Sequence, residues 1–290
     1  MTLSHELEIR LRADLGDKEF ERLHFESVAP QIYNALNMAR VRCMPFTDLV
    51  WNLRELERTQ NAAQIVDCLC QLSLTKEEQS LLAPALKSLL ERAETFPSKS
   101  KAQIDRYASR ILKRLDAEFA EDIAGPFFTH TRKARRQMAF DAFKKAGVTP
   151  SLGCHLWVLY QEHGDQEYLQ LIARNPDALL RLPIERILEE LDEEYWRARV
   201  IQALLEANSE LALVSEIALA YPIEFVHAVG RTRNDCFLPL LLDIFSTNKT
   251  KIDFLSIFTW CLGALKAETY LDMVEEALDE ISKTLQKVSI

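Results

Sequence analysis

Charge and aromatic rings are the chemistry this sequence offers, and they gather at four places. Lys99, Lys101, Arg106, Arg110, Lys113 and Arg114 crowd one stretch, and Arg132, Lys133, Arg135, Arg136, Lys144 and Lys145 crowd the next. Arg106, Arg110 and Lys113 stand at i, i+4 and i+7, the spacing of one helical face. Cations so placed suit a phosphate or an acidic partner, including nucleic acid. Arg106, Arg110, Lys113, Arg132, Lys133, Arg135 and Arg136 are the candidate anion-binding set. Asp105, Asp116, Glu118 and Asp141 interrupt the run. The same residues therefore also read as a solvated face that pairs with the chain's own acids.

The second place is Glu189, Glu190, Asp192, Glu193 and Glu194, followed by Tyr195 and Trp196. Carboxylates held in a cleft do acid–base work when their pKa values are shifted. Crowded at a helix junction, they read instead as a solvated turn or as a docking surface for a basic segment. Tyr195 or Trp196 would then be the apolar anchor such surfaces favour. These seven residues are the candidate partner-binding set.

Cys154, His155, Glu162 and His163 form the third group. The two histidines are eight apart and can share a helical face, but zinc needs further ligands. Neither HExxH nor an i, i+4 histidine pair occurs, so no metal is expected. His163 suits a helix C-terminus and Asp165 the N-cap of the next helix. The fourth group is Trp51, Trp157, Trp196 and Trp260 with Phe127 and Phe128. Trp157 and Trp260 fall on apolar stripes and read as core. No Ser/His/Asp or Cys/His set is legible from chain order, because triads assemble in space. Catalytic residues therefore stay unassigned. The seven glycines, at 16, 125, 147, 153, 164, 230 and 263, are isolated, which excludes a Gly-rich phosphate loop and implies no cofactor.

Helices must position all of these groups. Seven glycines in 290 residues, and 44 leucines against 12 valines, leave few tight turns and few β-branched residues for a sheet. The expectation is an all-α chain, with helix above ~65% where roughly a third is usual. Thr75–Glu78 and Ser100–Gln103 each carry a capping-box pattern. After Ser100 the apolar positions Ile104, Tyr107, Ala108, Ile111, Leu112, Leu115 and Phe119 predict one continuous helix. Ala124–His130 ends it, and Gly147–Gly153 ends the basic helix that follows. Three parts result: an N-terminal helical bundle over 1–125, a basic helix and linker over 126–150, and a string of helical hairpins over 151–290.

The hairpins repeat. Phe225, Ala228, Gly230, Phe237, Leu238, Leu241 and Phe245 match Phe258, Cys261, Gly263, Tyr270, Leu271, Val274 and Leu278, each 33 residues on. An apolar helix, a short turn and a returning apolar helix cannot bury their faces alone, so they stack. Trp260–Leu265 followed by Tyr270–Val274 resembles a HEAT-type or armadillo-like helical repeat, over roughly 150–290. That resemblance implies an α-solenoid that works as a binding scaffold. Some HEAT-like proteins are DNA glycosylases, but no residue here matches a catalytic one.

Charge refines the expectation. The chain carries −9 overall; residues 1–97 carry −4, 98–145 carry +6 and 146–290 carry −11. An acidic chain is a poor general nucleic-acid binder. The six cysteines show no framework spacing, and four or five of them read as small buried side chains, a usage that fits a reducing compartment. Residues 1–10 lack a signal-peptide core, and no apolar run reaches the ~18–20 residues of a membrane span. The expectation is a cytoplasmic scaffold or adaptor that docks a basic protein segment and no membrane. A phosphate or nucleic-acid binder acting through 98–145 is the alternative, and a HEAT-fold enzyme with an unrecognised site is the lesser one.

Overall fold

The structure, a computed structural model, describes residues 17–59, 61–207 and 211–288. Helix makes up 83% of it, and the described residues contain no strand. Among the described residues no helix is long and apolar enough to cross a membrane. Two compact units divide the chain: residues up to Ala124 with His130–Met138, and Gly125–Thr129 with Ala139 onward. Residues 126–150 are thus shared between the units, where the sequence reading set them apart as a basic helix and linker.

The first unit holds α1 (Asp17–Arg42), α2 (Phe46–Arg54), α3 (Ala62–Gln71), α4 (Lys76–Ala93), α5 (Ser98–Leu112) and α6 (Ala117–Ala124). Helix α4 is its centre and packs on α2, α5 and α6. Thr75 begins it with the predicted capping box. Its hydroxyl accepts from the Glu78 N–H at 3.2 Å, and the Glu78 carboxylate accepts from the Thr75 N–H at 2.9 Å. Leu82, Ala85, Leu86, Leu89, Leu90 and Ala93 are its buried face.

Two expectations fail in the next stretch. Helix α5 starts at Ser98 with Pro97 as its N-cap, so Ser100 lies inside the first turn and caps nothing. The stripe from Ile104 to Phe119 is two helices, because α5 stops at Leu112. Buried Gln79 explains the break. Its side-chain carbonyl takes the Asp116 N–H at 2.7 Å, and its amide donates to the Asp116 carboxylate at 3.0 Å. An N–H held that way cannot bond back into α5, and the chain turns into α6.

Helix α7 (Lys133–Ala146) leads into α8 (Pro150–His163), α9 (Gln166–Ala173), α10 (Pro176–Leu179) and α11 (Ile184–Glu190). Phe128, Phe140, Phe143 and Tyr168 form an aromatic cluster in the second unit, with ring centroids 5.1–5.9 Å apart. Gly153 lets α8 lie against α10, since a Cβ there would come within 2.7 Å of the Ala178 Cβ. Gly164, at φ +70°, ends α8 beside His163, and the Asp165 carboxylate caps α9 through the Glu167 N–H.

Beyond them lie α12 (Glu194–Glu206), α13 (Leu211–Ala220), α14 (Pro222–Thr232), α15 (Leu238–Asn248), α16 (Ile252–Leu265) and α17 (Leu271–Val288). Helix α12 packs on α14, and α14 on α16. The 33-residue step recurs in local structure. Arg233 ends α14 in the left-handed region at φ 53°, and Lys266 ends α16 there at φ 57°. A 3₁₀ turn follows each, over Asp235–Phe237 and Glu268–Tyr270, and then α15 and α17 begin. Phe225 and Phe258 are both buried, as are Ala228 and Cys261 and the pair Leu241 and Val274. The match loosens elsewhere: Phe245 is buried whereas Leu278 is exposed.

Candidate functional site

Three arginines of the basic segment, Arg132, Arg135 and Arg136, are turned inward on the first unit. Arg135 is 1% exposed. Its Nε lies 2.8 Å from the Asp105 carboxylate, one Nη lies 3.3 Å from Glu94, and the same nitrogen donates to the Leu90 carbonyl at 3.2 Å. Arg132 holds the same two acids, Glu94 at 3.0 Å and Asp105 at 2.5 Å. Arg136 donates to the carbonyls of His130 and Thr131. Arg110 reaches Asp67 at 2.5 Å. Arg132, Arg135 and Arg136 therefore do not present an anion-binding face, whereas Arg110 is paired but exposed. A buried guanidinium needs a countercharge, and α5 and the end of α4 supply it. Lys113 is half-buried just past the end of α5, while Arg106 and Lys133 are exposed.

Electrostatics tie this cluster together. Partial burial pushes Glu94 up, but Arg135, Arg132, Lys101 and His130 outweigh it and hold its carboxyl below the ordinary value. Burial pulls Arg135 down, against the opposing pull of Asp105 and Glu94.

The acidic run lies on the second unit, and all five carboxylate residues are exposed. Glu189 and Glu190 end α11, Glu193 is the N-cap of α12, and Glu194 opens its first turn. Carboxylates at a helix N-terminus complement its dipole, so part of this cluster serves the fold. Glu190 does more: its carboxylate accepts the Tyr160 hydroxyl at 2.8 Å, and its carbonyl accepts from Gln166. Burial, with the Glu190 hydrogen bond, pushes the Tyr160 phenol up to about 12. Tyr195 is exposed, as an anchor must be. Trp196 is not: it is 7% exposed, with its ring against Tyr195 and under the Arg174 guanidinium. The helical period places these two neighbours on different faces, so only Tyr195 can meet a partner.

His155 and His163 share α8 and are exposed, as is Cys154. No group of three metal-ligating side chains exists among the described residues. Cys68 and Cys261 are buried, whereas Cys43, Cys154 and Cys236 are exposed, so fewer thiols fill the core than the sequence suggested. Trp157 is core, as expected.

Trp260 departs from expectation. It is 47% exposed on α16, with one side of the indole against the backbone of Gly230. A Cβ at Gly230 would stand 2.4 Å from the indole Cζ3. The His227 ring meets the indole edge-on at 5.3 Å. Around the indole lies an open concavity of about 560 Å³, lined by Gly230, Arg231, Arg233, Trp260, Gly263 and Ala264. The sequence does hold a signal for it. Gly230 and Gly263 occupy one repeat register with a tryptophan three residues before the second, which is a ring with a glycine seat and a glycine gap. No protein family, curated protein or solved structure matches the chain.

Proposed function

We propose that the chain is a protein-interaction scaffold or adaptor, with a HEAT-like solenoid of helical hairpins in its C-terminal half. The carrying observation is the recurrence, 33 residues apart, of a helix, a left-handed cap, a 3₁₀ turn and a returning helix. Units of this kind stack and offer long continuous faces to a partner. On that reading the partner is a basic segment, held by Glu189, Asp192, Glu193 and Glu194 with Tyr195 as its apolar anchor. Net charge of −11 over 146–290 favours its approach. Six free cysteines, three of them exposed, fit the same reading in a reducing, cytoplasmic setting. The rival, an anion binder acting through 98–145, keeps Arg106, Arg110 and Lys133 of its candidate set as exposed cations once the inward-turned arginines are set aside, with Arg110 paired to Asp67.

The test is affinity capture from extract of the source cells, with partners identified by mass. The triple variant Glu189→Lys, Glu193→Lys, Glu194→Lys spares Glu190 and its bond to Tyr160. It should lose the principal partner while melting only slightly below wild type, since Glu193 and Glu194 also complement the α12 dipole. Arg106→Glu with Lys133→Glu should keep that partner. The reverse pattern would replace the scaffold's acidic surface with the basic one.

A further inference from the structure

We propose that the concavity around Trp260 is a second binding site, for an acidic peptide segment that lays a ring on the indole and its carboxylates on Arg231 and Arg233. The floor is organised before anything binds. The indole is wedged between the Gly230 backbone and the edge of His227, with nearly half its surface open. A rigid aromatic platform costs little ordering on association, which is what an anchor requires.

The cations are uncommitted. Among the described residues neither Arg231 nor Arg233 has an ion pair. Arg197, by contrast, binds Glu224 at 2.7 Å. Arg231 is steadied without being neutralised, since its guanidinium lies 5.3 Å from the Tyr195 ring centre. The backbone of Arg233 is set by the left-handed turn that ends α14. Carboxylates are in surplus over 146–290, yet the fold leaves these two charges unmatched beside an exposed tryptophan. The complement is an anion, and guanidinium groups match carboxylates in geometry as well as charge.

Shape selects the kind of anion. Small ligands are held in enclosures that cover most of their surface. This concavity is open, and on the side of Gly263 a Cβ would meet nothing within 4 Å. A floor open at one side suits a chain segment that runs across it. The site adjoins the acidic surface proposed above, since Arg231 lies over the Tyr195 ring, but its occupant carries the opposite charge and the inference does not depend on that surface.

The test is a titration of the ¹⁵N-labelled full chain with the acetylated hexapeptide Glu-Pro-Asp-Glu-Pro-Asp. It is read on the Trp260 indole N–H, identified with Trp260→Phe, and on the Gly263 amide. Both should shift and saturate, with Kd no weaker than ~5 mM. Lys-Pro-Lys-Lys-Pro-Lys should leave them still. Arg231→Gln with Arg233→Gln should weaken binding roughly tenfold, a loss of about 1.4 kcal/mol. Gly263→Leu fills open space without a clash, so it should fold as wild type and also bind roughly tenfold more weakly. The proposal falls if the acidic peptide gives no saturable shift or the lysine peptide gives an equal one. It falls too if both variants bind normally, or if inorganic phosphate at the same concentration reproduces the shifts, which would make the site an anion spot and not a peptide site.

Discussion

Arg135, on α7, is buried against Asp105, on α5, with 2.8 Å between guanidinium Nε and carboxylate. Both side chains are at least nine-tenths covered, so each needs the other. Removing one partner leaves Arg135 with only Glu94, or Asp105 with only Arg132, which costs up to about 3–5 kcal/mol, whereas replacing both with apolar residues can be nearly neutral. Arg135→Met and Asp105→Leu should each lower the urea midpoint strongly, and the double variant should recover much of the loss. Equal, additive losses would mean that the pair acts as two separate residues.

Glu94 gives the same cluster a pH dependence. Its folded pKa lies below the unfolded value near 4.5. A carboxyl depressed on folding contributes stability that is complete above the unfolded pKa and is lost as pH falls through the folded one. The residue is 40% exposed, so screening keeps the effect small. Glu94→Gln should therefore melt below wild type at pH 7, and the two should converge below pH 4.5. Parallel melting curves from pH 7 to pH 3 would contradict it.

Gly230 and Gly263 should respond oppositely to alanine. At Gly230 the new methyl would meet the indole ring, and overpacking of this kind costs about 1–3 kcal/mol. At Gly263 it enters open space within a helix, where alanine is favoured over glycine by about 1 kcal/mol. Thermal melts should show Gly230→Ala falling and Gly263→Ala rising. Trp260 fluorescence should change only in the first, as the ring is pushed from its seat.

How much of this was legible in the sequence depends on distance along the chain. Glycine scarcity, the Thr75 box, the Gly164–Asp165 junction and the 33-residue step are local patterns, and local hydrogen bonds enforce them. Arg135 and Arg136 are neighbours, yet one is buried and the other holds loop carbonyls. That difference is set by Asp105 on another helix, which no window around residue 135 contains. The left-handed caps at Arg233 and Lys266 were also invisible, because glycine or asparagine is the usual signal for that conformation. Trp260 was misread as core because its spacing places it on an apolar helix. Only the glycine opposite, on α14, reveals that the ring lies on the helix and not within it.

Tyr160 supplies the prediction that bears most directly on the acidic surface. Its hydroxyl donates to Glu190 from a buried ring, so Glu190 is a hydrogen-bond acceptor of the fold before it is a contact for any partner. Tyr160→Phe should cost about 1 kcal/mol, with Glu190→Gln costing less because an amide oxygen still accepts. The phenol adds a pH signature. Its folded pKa is raised from 10 to about 12. A group raised on folding contributes stability that is complete below the unfolded pKa and is lost as pH climbs through the folded one. The margin of wild type over Tyr160→Phe should thus be constant up to pH 10 and shrink between pH 10 and about 12. Ultraviolet titration of the native chain should show a tyrosinate deficit against the unfolded chain at pH 11, to which Tyr221, also raised by burial, contributes, and Tyr160→Phe should remove the Tyr160 share of it. If the margin instead held constant to pH 12, Tyr160 would not be the proton held back by the fold.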